Sequence, residues 1–487
     1  MSIDLTRDAD DVSIDDPAYQ PLFENLQGNI LKPHGRNCAW QAFIKFTGPA
    51  DEVRAWMRTE IAPNLFTAAK QYEQGRAPSG TDGGLVTLFF LSAAGYRYLD
   101  LDPKRLASTP FRKGMKDQSD GLSEIFGTNN KDSHPSTWEP EFQDDIHAMV
   151  GLANDEDRVP RLEAALTELQ TQLAGIAIIL CVQKGKVLRR PINDTPNPDD
   201  FEPIEHFGYF DGISQPLFTN QDMDKYYEKG RGGARGVGWD PGASLDLVLV
   251  QDPFAGAQDA YGSYLVYRKL AQDYDLFQAR VASCATAIGT DMALAGAMVV
   301  GRFEDGTPVV DSKVPSHDYK NDFMFEEEDE EGFRCPRHAH IRKVNPRGTT
   351  PFTSLEDERK RRIVRRGIPY GPPHPDIKCP PEESSDDPTV SRGLLFMCFQ
   401  ASIKKQFEFI QRTWVDNPNF PVSLLNPFKK DTGDDPLIGQ DPDETQRWPK
   451  KWGEENAGRK SFNFEAAVTL KGGEYLFAPS KPFLENV

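Results

Sequence analysis

One succession of periodicities occurs twice along the chain, and it constrains the fold more than any single motif. "CAWQAFIKFTG", residues 38 to 48, alternates as a strand does, and the following "DEVRAWMRTEIAPNLFTAAKQYEQG" sets Val53, Trp56, Met57, Ile61 and Leu65 at helical spacing. "GLVTLFFLS" then returns to a strand. Two hundred residues on, "GSYLVYRKL" at 262 to 270 leads into "AQDYDLFQARVASCATAI", with Leu276, Phe277 and Val281 at helical spacing, and "GLLFMCFQ" at 393 to 400 supplies a further strand. Helices interspersed with short aromatic and β-branched strands, in two halves, predict an α+β chain in which helices pack on antiparallel sheets.

Size and charge exclude several classes. A chain of 487 residues is too long for one small module, and a net charge of -19 opposes a polyanionic partner, so neither nucleic acid nor an anionic membrane surface is expected. The longest apolar runs, "GIAIILCV" ending at Val182 and "ALAGAMVV" ending at Val300, fall far short of a bilayer span. Residues 1–20 are acidic and lack the basic and apolar regions of a secretory signal, which predicts a loose solvated tail and a cytoplasmic protein. Six dispersed cysteines, Cys38, Cys181, Cys284, Cys335, Cys379 and Cys398, include no CxxC pair and read as reduced thiols. We place the N-terminal domain at 21–215 and the C-terminal domain at 216–487. "GRGGARGVGWDPG", residues 230 to 242, reads as a loop without the ending of a phosphate-binding motif. "FEEEDEEG" at 325 to 332 reads as a solvated acidic loop, and Asn426 to Gly458 as a surface insertion.

"RCPRHAHIRKVNPRG", residues 334 to 348, is the segment in which a ligand is sought. Pro336 and Pro346 bracket about two helical turns. At about 100° per residue, His338 and His340 face opposite ways, so they cannot serve one centre. His340 shares a face with Pro336 and Val344 and is the inward candidate; His338 shares one with Arg334 and Arg342 and is expected in solvent. Two readings of His340 stand, a satisfied core histidine or the single axial imidazole of a haem, and a zinc site elsewhere in the segment is the rival to both. The zinc site would be built on Cys335 and His338 with Cys379 or His374. In the haem reading, Arg342 and Arg347 are placed to meet propionates.

Two further segments bear on this. "HFGYFDGISQP", residues 206 to 216, sets Asp211 in a Gly-x-x-Asp-Gly turn, and "RRIVRRGIPYGPP", residues 361 to 373, sets Arg365 and Arg366 before a rigid turn. Together with "AHIRKVNPR", and with "LQGNIL" at 26 to 31, "GSYLVYRKL", "GLLFMCFQ" and "GGEYLFAPS" at 472 to 480, these resemble the dye-decolorizing peroxidase family along nearly the whole chain beyond the acidic tail. The resemblance implies two ferredoxin-like domains with a b-type haem held mainly by the C-terminal one. By matching positions it implies His340 as proximal iron ligand, Asp211 as distal acid and base, and Arg365 as distal arginine. It further implies Arg347 as a propionate contact, and Leu394 and Phe396 as residues that narrow the distal pocket. Glu408, in "QFEFIQ", is the candidate hydrogen-bond acceptor for His340, and Tyr370 the candidate site of a surface-connected radical. The implied substrates are hydrogen peroxide and aromatic donors such as dyes and phenols, with Mn(II) as a further donor; a haem-carrying protein of the same architecture is the alternative. Monomer and homodimer are both open. A carboxylate base ordinarily titrates near 4 and an imidazole near 6.5, so peroxide cleavage by an aspartate should persist into acid.

Overall fold

The computed structural model describes residues 3–78, 81–117, 132–192, 201–350, 352–377, 379, 384–421, 432–439 and 444–487. The N-terminal half contributes strands β1 (Cys38–Phe46), β2 (Val86–Ser92), β3 (Ala148–Asn154) and β4 (Ala177–Lys186), paired antiparallel in the order β2-β3-β1-β4. Helix α1 (Ala50–Trp56) follows β1, runs through a π turn at Met57–Ile61 and stops at Ala62–Asn64, where Pro63 intervenes. Its predicted stripe is inside, with Val53, Trp56, Met57, Ile61 and Leu65 all buried. Helix α2 (Val159–Gln172) precedes β4 and buries Leu162 and Leu169.

The C-terminal half repeats the arrangement. Its strands β5 (Tyr261–Gln272), β6 (Ile368–Tyr370), β7 (Gly393–Gln400) and β8 (Val468–Ala478) pair in the order β6-β7-β5-β8. Both orders are those of a ferredoxin-like sheet, first strand central. The halves meet where Tyr370 of β6 pairs with Gly185 of β4 and where Leu476 and Phe477 of β8 pair with β2, so eight strands close into a ring. Phe43 of β1 and Tyr267 of β5 meet edge to face, 4.8 Å between ring centres, so the two halves share one apolar core.

A second core lies outside the ring. Helix α3 (Tyr274–Ile288) starts at Asp273, whose carboxylate accepts from the Leu276 N–H; α4 (Met292–Val300) starts likewise at Asp291. Phe277, Val281, Met298 and Val299 pack there with Phe325, Cys335, Trp448 and Phe464 against the short helix α5 (His340–Val344). Among the described residues no single helix is long and apolar enough to cross a membrane. Cys181, Cys284, Cys335 and Cys398 are free thiols.

Three sequence expectations about loops are overturned. The N-terminal segment is docked, with Val12 and Tyr19 buried, the Val12 carbonyl accepting from Asn220 N–H, and Asp10 and Asp15 paired with Arg235 and Arg76. Its acidity is met by basic partners on the body, which composition alone does not reveal. In the acidic stretch, Asp329 turns inward and its carboxylate accepts from the Phe333, Arg334 and Cys335 N–H groups. The supposed insertion contributes buried Thr432, Asp434, Asp435 and Trp448, while 422–431 and 440–443 lie outside the described residues.

Candidate active site

A cavity of about 300 Å³ opens between β5, β7, the loop from Glu205 to Pro216, α5 and the segment from Phe407 to Gln411. Leu270, Val300, Ile341, Leu394, Phe396 and Ile410 give it apolar walls, and its polar groups converge from separate segments.

Asp211 reaches the cavity on the turn that sequence singled out. Gly208 and Gly212 both have positive φ, +92° and +86°, which a side chain would strain, and they fold the chain sharply on either side of Asp211. The Asp211 N–H donates to the Pro203 carbonyl at 3.0 Å, which holds the turn against the preceding strand. Arg365 approaches from a two-residue strand, Val364–Arg365, that pairs with β7. Its Nη1 lies 3.4 Å from Asp211 Oδ1 and its Nη2 donates to the Ser214 carbonyl at 3.1 Å. Both side chains are a little over a third exposed, so the pair is screened and its value is geometric. The neighbouring Arg366 points the other way, as alternation along a strand requires. It is buried, donates to the Asn29 and Ile30 carbonyls at 2.6 and 2.9 Å, and burial pulls its pKa down to about 9.

His340 is the first residue of α5 and lines the same cavity. Its Nδ1 lies 2.9 Å from Oδ2 of Asp435, a side chain with no exposed surface, whose Oδ1 accepts from the Leu437 and Ile438 N–H groups. A carboxylate fixed in this way requires the proton on Nδ1, leaving Nε2 as the basic nitrogen. Among the described residues Nε2 has no hydrogen-bond partner, so it is available to a metal. Asp435 was missed because it lies 95 residues from His340 in a Pro- and Asp-rich stretch with no local pattern.

Two buried arginines line another part of the wall. Arg347 Nη2 and Arg302 Nη2 both donate to Asn321 Oδ1, at 2.5 and 2.9 Å. Burial pulls Arg347 down to about 9 and Arg302 to about 10, and each guanidinium stands over the Phe323 ring. Two like charges so enclosed favour an anionic ligand. An apolar slot, one imidazole with a free nitrogen, and paired cations on the wall together fit a haem and its propionates. Arg302 went unremarked in the sequence because it stands alone after α4, outside any basic run.

Other expected residues are elsewhere. Arg342 does not line the cavity: it is fully buried, donates to the Cys335 and Glu330 carbonyls and pairs with Asp329, since it lies about 200° around α5 from His340. Glu408 is not the partner of His340; it accepts from Tyr475 Oη at 3.1 Å and stands 3.6 Å from Arg412. Nor is His338 in solvent, because the helix begins only at His340 and the wheel does not extend to it. It is buried edge-on against Trp448 with Nδ1 3.1 Å from the Thr432 carbonyl oxygen, and burial drives its pKa well below 6.5. Tyr370 is buried outside the cavity lining, its Oη 3.2 Å from Ser391 Oγ. Among the described residues no cluster of three or more His, Cys, Asp or Glu could hold a metal, which leaves the zinc reading without a site.

A carboxylate the sequence gave no reason to choose also lines the cavity. Glu205 accepts from the Phe207 and Tyr209 N–H groups at 2.9 and 3.0 Å and from Gln272 Nε2 at 2.5 Å. Enclosure pushes its carboxyl up to about 7 against the lowering effect of the hydrogen bonds it accepts, with a smaller push from Asp211.

Residues 244–434 match the family model described as "Dyp-type peroxidase, C-terminal". The chain is 34% identical over 475 residues to a multifunctional dye peroxidase of an Amycolatopsis species, covering 96% of each. It is 32% identical to a dye-decolorizing peroxidase of Mycetinis scorodonius, covering 95% of this chain and 87% of the other. The crystal structure of a DyP-type peroxidase from an Anabaena species superposes with a TM-score of 0.84 at 38% identity, covering 96% of this chain and 95% of that one.

Proposed function

The chain belongs to the dye-decolorizing, DyP-type family of haem peroxidases, and on that premise we propose that it binds haem b in the cavity through His340 and cleaves hydrogen peroxide with Asp211 and Arg365. It is an oxidoreductase that uses hydrogen peroxide. Haem, when bound, supplies the iron that takes up oxidising equivalents from peroxide and passes them to donors.

The protein's own residues do the rest. The Asp211 carboxylate takes the proton from the inner peroxide oxygen and returns it to the outer one, which then leaves as water. Arg365 is fixed at the Ser214 carbonyl and beside Asp211, so its charge meets the negative charge growing on the departing oxygen without reorganisation. Asp435 holds the Nδ1 proton of His340, which leaves Nε2 as the nitrogen that would hold the iron and would make the imidazole a stronger donor to it. Arg347, with Arg302 beside it, would receive the propionates. Leu394 and Phe396 narrow the space next to this pair, which favours peroxide over a dye. Bulky dyes would then give electrons at the surface, with Tyr370, whose Oη lies 3.2 Å from Ser391 Oγ, the proposed radical site.

The observation that carries this reading is that Asp211, Arg365 and a histidine with its Nδ1 already engaged line one cavity. Haem titration into wild type, His340→Ala and Arg347→Met tests it. We expect a sharp Soret endpoint near one equivalent in wild type, altered ligation without His340 and weaker binding without Arg347. Tight haem uptake with no peroxide turnover would replace the enzyme with a haem-carrying protein.

A further inference from the structure

We propose that Glu205 is a positioning residue for peroxide cleavage: its carboxylate closes the loop from Glu205 to Gly212 and so sets where Asp211 stands. The inference rests on the reading of Asp211 as the acid and base. Five hydrogen bonds run through this one residue. Its two carboxylate oxygens take the Phe207, Tyr209 and Gln272 donors, while its own N–H donates to the Tyr209 carbonyl at 3.1 Å and its carbonyl accepts from Gly208 N–H at 2.9 Å. The loop is therefore wound around the carboxylate, with Gly208 supplying the left-handed turn at its tip. From that tip the chain runs through Phe210, whose N–H donates to the Glu304 carbonyl at 3.0 Å, directly to Asp211.

The anchor outside the loop is Gln272, the last residue of β5, whose N–H donates to the Arg392 carbonyl at 3.0 Å. Through it the loop is tied to the closed ring of strands rather than to another loop. Phe207 stacks on Phe277 of α3 with ring centres 4.1 Å apart, which fixes the far side. All three groups facing the carboxylate are donors, so a carboxylate fits and an amide does not: glutamine would turn one N–H group towards another donor. Among the described residues Glu205 has no ion pair, so these donors are what holds it. Its pKa, pushed up to about 7, agrees with a carboxylate enclosed near the negative Asp211.

The test is a double-mutant cycle on the haem-loaded protein, measuring the second-order rate with hydrogen peroxide for wild type, Glu205→Gln, Asp211→Asn and the double variant. A displaced catalytic group costs roughly tenfold to hundredfold, so Glu205→Gln should slow the reaction by about that factor. The double variant should be no slower than Asp211→Asn alone. Amide exchange of residues 205–212 should rise in Glu205→Gln while that of the ring strands stays as in wild type. Should Glu205→Gln fold poorly, Gln272→Leu removes only the tie to β5 and should give a smaller loss that likewise vanishes in the Asp211→Asn background. Multiplying losses in the double variant, or no slowing in Glu205→Gln, would overturn the positioning role while leaving Asp211 intact. If Asp211→Asn itself reacts at the wild-type rate, the reading of Asp211 fails and this inference falls with it.

Discussion

Replacing Asp435 by asparagine should raise the reduction potential of iron held by His340. The carboxylate receives Nδ1–H at 2.9 Å in a place with no solvent exposure, so no water can substitute for it. A hydrogen bond to a charged group contributes roughly 1.5–3 kcal/mol and a neutral one about 0.5–1.5, so the exchange forfeits about 1–1.5 kcal/mol. The bond is strongest when ferric iron withdraws electron density from the imidazole, so the loss falls mainly on the oxidised state. At about 59 mV per tenfold change for one electron, the potential rises by up to roughly 60 mV. Asparagine has a single oxygen, so keeping a neutral bond to Nδ1–H turns its amide N–H groups towards those of Leu437 and Ile438 and loosens that turn. Spectroelectrochemical titration measures the shift, with Glu408→Gln as a control that should not move. A Glu408→Gln shift as large as that of Asp435→Asn, or none in either, would refute the reasoning.

Arg365→Met and Arg366→Met should separate chemistry from stability, although the two residues are adjacent. The first should slow the reaction with peroxide by about 10² to 10³ with little change in unfolding free energy; the second leaves two buried carbonyls without donors and should cost roughly 2–4 kcal/mol in urea titrations. His206 is buried, its Nε2 held at the Tyr370 carbonyl, and burial pulls it down to about 4 against an ordinary 6.5. Its folded pKa is depressed, so the stability it contributes is present above about 6.5 and is lost as pH falls towards 4, roughly 3 kcal/mol in all. Glu205 acts oppositely, its raised pKa making stability fall as pH rises from 4.5 to about 7, so the difference between wild type and His206→Gln at each pH isolates the histidine. That difference should favour wild type at pH 7.5 over pH 4.5, and a constant difference would count against a buried neutral imidazole. Tyr370→Phe should slow oxidation of bulky dyes more than of small phenols, and equal slowing would remove Tyr370 from the electron path.

What was legible in the sequence is what local periodicity can encode. The alternation in "CAWQAFIKFTG" and "GSYLVYRKL" placed central strands of both halves, and the spacing from Val53 to Leu65 placed a buried helical stripe. The Gly-x-x-Asp-Gly turn, whose glycines take positive φ, was legible, but the role of Asp211 came from the family resemblance. Contacts made across the fold left no such trace. Asp435 binds His340 from a stretch whose composition resembles a surface loop, and Arg302 meets Arg347 at Asn321 and over the Phe323 ring. The wheel drawn from Pro336 misplaced His338 because the chain stays extended at Ala339, φ -54° and ψ 137°, before the helix starts. Arg342 failed on the same geometry, since two positions along a helix is nearly the opposite face.

The most direct test of the account is the rate at which haem-loaded protein reacts with one equivalent of hydrogen peroxide, followed at the Soret band by stopped flow in wild type and Asp211→Asn. The account predicts a fast change in wild type that slows by about 10² or more in the variant, because among the described residues no other carboxylate is partnered with Arg365 to take over the proton transfer assigned to Asp211. Equal rates in the two proteins, with haem bound alike in both, would contradict it.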